Sequence, residues 1–93
     1  MKIVHLYYLK TCKACKPYSI NLKQCCDRLG FTLEMHLIED NPMAIMAELL
    51  RARHSGAFIK HAPFITIHND DKYKAVGGIL NEAQIYNILK DYE

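Results

Sequence analysis

Cys12 and Cys15, in the stretch Lys10-Thr11-Cys12-Lys13-Ala14-Cys15, are the residues of this chain best suited to chemistry. A Cys-x-x-Cys pair can exchange a disulfide, form half of a metal site, or stand idle. Here it follows the apolar run Ile3-Val4-His5-Leu6-Tyr7-Tyr8-Leu9 and opens a helix-like segment reaching to about Leu29. A strand therefore hands over to a helix at the motif. Residues three apart on a helix have Cβ atoms about 5–6 Å apart, and a small adjustment of the first turn reaches the roughly 3.5–4.5 Å of a disulfide. Cys12, at the helix start, is expected to face unpaired backbone N–H groups and the positive end of the helix dipole, both of which favour a thiolate. Lys10, Lys13 and Lys16 add positive charge nearby, with Lys16 reading mainly as a solvated charge at the helix start. The pattern predicts Cys12 as the nucleophile and Cys15, one turn further in, as the resolving thiol.

Zinc at this pair would need two more ligands. Cys25 and Cys26 lie about ten residues along the same helix, which places them roughly 15 Å from Cys15. They read as packing residues, since cysteine behaves as a small hydrophobe, with a regulatory thiol as the alternative for whichever points outward. The five histidines (His5, His36, His54, His61 and His68) show no ligand spacing of the H-x₃-H or H-E-x-x-H kind. They read as surface or strand residues, and no metal site is expected. His61, two residues before Pro63, is a candidate to tune the redox pair.

The elements that must position the pair fit one domain, residues 1–93, with room for one core. A hydrophobic share of 51% and a charged share of 24% suit a globular fold. No apolar run approaches the ~18 residues of a membrane span, and the N-terminal segment does not read as a signal peptide, so the expected location is cytoplasmic. In a reducing compartment four cysteines point to catalysis or metal before structural disulfides. A net charge of +2, without a basic stripe, does not suggest a nucleic-acid partner.

Residues 2–9 read as a strand covered on both faces. In residues 13–29, Tyr18, Leu22, Cys25 and Leu29 form an apolar stripe of helical period, Pro17 falls in the first turn, and Gly30 supplies the stop. Phe31 to Ile38 reads as a second strand with Phe31, Leu33, Met35 and Leu37 on one side. Asn41-Pro42 opens a helix that carries Ile45, Met46, Leu49, Leu50 and Ala52 and ends near Ser55-Gly56. Met43 and Met46 read as core filler on it. Phe64–His68 and Tyr73–Val76 read as a hairpin about Asn69-Asp70-Asp71-Lys72. Gly77-Gly78 breaks the fourth strand. Asn81 and Gln84 predict a capping box, with Leu80 stapled to Ile85, for a last helix whose Ile85, Ile88, Leu89 and Tyr92 face inward.

With its motif and element order in place, the chain resembles the thioredoxin superfamily, and within it the small glutaredoxin-like redoxins, including those serving ribonucleotide reductase. Nearly the whole chain is covered. Cys12-Lys13-Ala14-Cys15 sits where that family keeps its redox motif, Ala62-Pro63 matches its cis-proline loop, and Gly77-Gly78 matches the glycine pair after strand 4. Leu6 stands at about the place where thioredoxins carry a buried Asp. Leu80 and Asn81 stand where glutaredoxins usually have an acidic pair. The resemblance implies an α/β, thioredoxin-like fold of βαβ-α-ββα order, with a four-stranded mixed sheet of order 2-1-3-4 flanked by three helices. It also implies a cis Pro63 and a substrate segment pairing with the backbone of Ala62 as an added strand.

The function implied is reduction of protein or small-molecule disulfides through Cys12 and Cys15. Lys10, Thr11, Lys13, Ala62, Pro63, Gly77 and Gly78 would form the substrate rim. No cofactor is expected to be bound; electrons would come from glutathione or a flavoprotein such as thioredoxin reductase, at a potential of roughly −270 to −200 mV. The partners implied are a disulfide-bearing protein such as ribonucleotide reductase and that reductant, with the chain a monomer and neither nucleic acid nor membrane involved. Two alternatives stay open: a non-enzymatic binding or redox-sensing module docking through Ala62-Pro63, and a zinc or iron–sulfur protein held at Cys12.

Overall fold

A computed structural model, describing residues 1–60 and 62–93, gives the element order the sequence predicts. Strand β1 (Lys2–Tyr8) leads to helix α1 (Cys15–Leu29) and strand β2 (Thr32–Leu37). A short 3₁₀ turn (Ile38–Asp40) then leads to helix α2 (Pro42–His54), strands β3 (Phe64–Asn69) and β4 (Lys72–Gly77), and helix α3 (Glu82–Asp91). The sheet order is β2-β1-β3-β4. β1 and β2 run parallel, while β3 is antiparallel to both β1 and β4. This is the thioredoxin-like arrangement.

Alternation along the central strands separates two faces. Val4 and Leu6 of β1, with Ile65 and Ile67 of β3, point to the side where α1 and α3 pack together. They meet Tyr18, Leu22, Cys25 and Cys26 from α1 and Ile85 and Leu89 from α3. Each such large side chain contributes about 1.5–3 kcal/mol by leaving water. On the opposite face Tyr7 and Phe64 stack at 4.7 Å, under Ile45 of α2. Both free cysteines are fully buried, so neither offers an outward-facing thiol.

Local signals explain the helix boundaries. Asn41 caps α2 by accepting the Ala44 N–H at 3.3 Å, with Pro42 at the first helical position. Gly30 ends α1 in the left-handed region, at φ 77°, its N–H donating to the Cys26 carbonyl. The capping box forms at α3. Gly77 still pairs with Phe64 as the last residue of β4; Gly78, at φ 87°, is the residue that breaks the strand.

Three expectations need correction. Cys12 does not lie within the helix, because α1 begins at Cys15. Pro17 has no N–H to give the Lys13 carbonyl, so the first helical hydrogen bond is Tyr18 N–H to Ala14 at 3.3 Å. Second, Met43 and Met46 are not core filler: they are 77% and 60% exposed. α2 is the one helix covering its face among the described residues; its apolar stripe Ile45–Leu49–Ala52 turns inward, with Arg51 reaching over Tyr73 of β4 at 4.7 Å, and Met43 and Met46 are left outside. Third, the second strand is shorter than Phe31–Ile38: Phe31 precedes β2, which begins at Thr32. β2 is an edge strand, and its apolar side is covered unevenly: Phe31 just before it is buried, Leu33 and Leu37 are partly buried, and Met35 is 46% exposed. The strand also stops at Leu37, and Ile38 belongs to the 3₁₀ turn.

Candidate active site

Strand β1 delivers the chain to a tight turn in which the Cys12 N–H donates to the Leu9 carbonyl at 3.1 Å. The backbone N–H of Lys10 is held by both oxygens of the Glu39 carboxylate, at 2.9 and 3.2 Å. The 3₁₀ turn after β2 thus anchors the loop before the cysteines. Within this frame Cys12 and Cys15 form a disulfide, with Cα atoms 5.5 Å apart. The two sulfurs are not equivalent. Cys15, first residue of α1, is 4% exposed, whereas Cys12 stands partly open ahead of the helix. Attack from outside therefore reaches Cys12 first.

The pair opens on a groove of about 220 Å³, lined by Tyr8, Leu9, Lys10, Lys16, Ser19 and Met35 besides the two cysteines. On the other side of Leu9 lies a second groove of about 220 Å³, bordered by Lys60, Ala62 and Phe64. Leu9, 38% exposed, is the wall between them. The Ala62–Pro63 bond is cis. The Pro63 carbonyl accepts the Gly78 N–H at 2.9 Å, so the glycine pair and the proline loop form one unit. Gly78 faces open space.

The structure thus places Lys10 in the groove with the cysteines, Ala62 in the adjoining groove, and Pro63 against Gly77 and Gly78. Thr11 and Lys13 lie exposed on the turn. Among the described residues, Lys10, Lys13 and Lys16 make no ion pair and leave a basic rim. The expectation for His61 lies outside the described residues. Leu6 is fully buried in the core.

Two features escaped the sequence reading. Met35, given no role in the sequence reading, lines the groove beside the disulfide. The parallel register Leu6↔Met35 puts it there, which periodicity within β2 cannot reveal. The second feature is on the α2 face, where His5, Glu34 and His36 come together across β1 and β2. Burial lowers the His5 pKa, opposed by the Glu34 carboxylate and reinforced by His36 and His68. His5 pairs with Glu34 in the strand register and His36 follows two residues on. Histidine spacing along the chain holds no trace of this.

Comparison with solved structures places the fold among thioredoxins. A chloroplastic thioredoxin z superposes with a TM-score of 0.74 at 20% identity, over 98% of this chain and 77% of the other. Thioredoxin-2 of the malaria parasite, a component of its protein secretion machinery, gives 0.70 at 17%, over 98% and 82%. A malarial protein gives 0.69 at 18%, over 98% and 96%. At these identities the likeness establishes the fold alone. No family model matches the sequence, and no curated protein matches it.

Proposed function

We propose that this chain is a thiol–disulfide oxidoreductase, reducing disulfides of protein or small-molecule substrates through Cys12 and Cys15. The observation that carries the reading is the disulfide between a partly open Cys12 and a buried Cys15. In the reduced protein the Cys12 thiolate attacks one sulfur of the substrate disulfide. The other substrate sulfur leaves as a thiolate and takes a proton, and a mixed disulfide joins Cys12 to the substrate. Cys15 then attacks Cys12 Sγ, the second substrate sulfur leaves, and two electrons have passed from the dithiol to the substrate. Resolution is intramolecular, so it needs no second encounter.

In this reading Ala62 recognises an extended substrate segment through its backbone, with Pro63, Gly77 and Gly78 shaping that edge. Lys10 and Lys13, on either side of the motif's Thr11 and Cys12, supply positive charge to a rim that attracts acidic or carboxylate-bearing partners, with Thr11 part of the substrate contact. Two electron donors fit the chemistry, glutathione and a flavoprotein reductase. Leu80 and Asn81, in place of an acidic pair that would hold glutathione's amino end, favour the reductase. A cytoplasmic setting suits a pair that must be re-reduced. The chain has no helix long and apolar enough to cross a membrane among its described residues.

Turnover of a disulfide-bonded protein, with NADPH and thioredoxin reductase in one assay and glutathione with its reductase in another, tests the proposal. The parent should turn over with at least one system, faster with the reductase. Cys12→Ser should lose at least about a hundredfold, as removal of a nucleophile requires. Turnover surviving in Cys12→Ser would overturn the reading.

A further inference from the structure

The His5, Glu34 and His36 side chains converge on the sheet face under α2, away from the cysteines. His5 Nδ1 lies 2.9 Å from His36 Nε2 and 3.2 Å from Glu34 Oε2, and the last two atoms are 4.0 Å apart. A circle through these three atoms has a radius of about 2.0 Å, which matches the 2.0–2.2 Å that zinc keeps to imidazole nitrogen and carboxylate oxygen. A single point is therefore within bonding distance of all three donors without rearrangement of the backbone.

The platform is rigid. His5 and Glu34 are register partners of the parallel β1–β2 ladder, and His36 is the next residue on the same face of β2. The rings are fixed by their neighbours: His36 stacks on Tyr7 at 5.0 Å, and His68 meets the His5 ring edge-on at 5.3 Å. The site also has an open side. His36 borders a cleft of about 400 Å³ shared with Tyr7, Asp40 and Glu48, which leaves room for a water as a further ligand. Two imidazoles and one carboxylate, with the Asp40 and Glu48 carboxylates in the adjoining cleft, form a donor set of the kind that holds zinc with one position open.

We infer that His5, Glu34 and His36 form a binding site for a divalent transition-metal ion of the zinc class, separate from the redox pair, that ties edge strand β2 to β1. A simpler arrangement uses the same atoms, with one proton on His5 Nδ1 donated to Glu34 and His36. The two differ in what added metal does. Calorimetric titration of the oxidised protein with zinc ion, its Cys12 and Cys15 thiols locked in the disulfide, decides between them.

The expected result is one zinc bound per chain with a rise in melting temperature. His36→Asn and Glu34→Gln, at partly exposed positions, should each weaken binding at least tenfold. His54→Asn, at the end of α2, should leave it unchanged. Cobalt ion in place of zinc should give visible absorption bands without a thiolate charge-transfer band. Melting curves of the metal-free variants establish that they fold. Absence of binding by the oxidised parent, binding undiminished in His36→Asn, or binding only after the disulfide is reduced would each overturn the site.

Discussion

Replacing Asn81 by Ala should destabilise the protein by about 1 kcal/mol. α3 is 10 residues long, too short to persist alone, and it places Ile85 and Leu89 in the main core. Its first turn is closed by two reciprocal bonds: Gln84 N–H to Asn81 Oδ1 at 2.8 Å, and Asn81 N–H to Gln84 Oε1 at 3.0 Å. Asn81→Ala removes the first and leaves the second. The freed Gln84 N–H is exposed, so water replaces the lost acceptor, and the cost is the net value of one hydrogen bond, about 0.5–1.5 kcal/mol, with no added burial penalty. For a domain of this size that corresponds to a fall in Tm of roughly 4–8 °C. Equilibrium unfolding in urea, followed by circular dichroism, measures it, with the denaturant slope unchanged. Asn81→Ser and Asn81→Asp keep a side-chain acceptor and should stay within a few tenths of a kcal/mol of the parent. The reasoning fails if Asn81→Ser costs as much as Asn81→Ala, or if the alanine variant matches the parent.

Burial pushes the Cys25 thiol up and the Cys26 thiol up to about 12, so the oxidised protein should react with no thiol reagent at pH 8 and with two equivalents once unfolded. Fast native labelling would contradict their placement in the core. The same shift sets an alkaline limit. Below pH 9.0 the Cys26 thiol is protonated in both folded and unfolded chains; between there and pH 12 only the unfolded chain loses the proton. Stability should therefore fall as pH rises through that window, by up to about 1.4 kcal/mol per pH unit for this group, with Tyr7, raised by burial and Glu48 from 10.0 to about 12, joining at the upper end. Equal urea midpoints at both ends of the window would refute it. Leu22→Ala, at a fully buried site, should cost about 2–5 kcal/mol, whereas Met46→Gln, 60% exposed, should stay within about 0.5 kcal/mol. A large loss in Met46→Gln would restore that side chain to the core.

The parts of the structure visible in the sequence are those governed by neighbours within one turn or one pleat. Gly30, Asn41-Pro42 and the Asn81/Gln84 pair mark helix ends because capping is local, and Val4/Leu6 against His5/Tyr7 mark two faces because the pleat alternates. The redox pair is visible for the same reason. What escaped depends on partners far along the chain. Met35 is exposed because β2 ends the sheet, and Met46 because, among the described residues, one helix covers that face and nothing packs on its outer side. His5 meets Glu34 and His36 through a strand register that no spacing rule encodes. Pro17 is the instructive middle case, since its missing N–H is a local signal whose consequence, a helix starting at Cys15, follows from counting hydrogen bonds back to Ala14.

The division of labour between Cys12 and Cys15 can be read directly by reacting the fully reduced protein with one equivalent of 5,5′-dithiobis(2-nitrobenzoate). If Cys12 attacks and Cys15 resolves, the parent releases two thionitrobenzoates per chain and ends as the intramolecular disulfide. Cys15→Ser should release one and retain the other as a stable adduct on Cys12, seen by mass spectrometry. Cys12→Ser, left with a sulfur only 4% exposed, should react slowly. Rapid reaction of Cys12→Ser, or release of both equivalents by Cys15→Ser, would contradict the assignment.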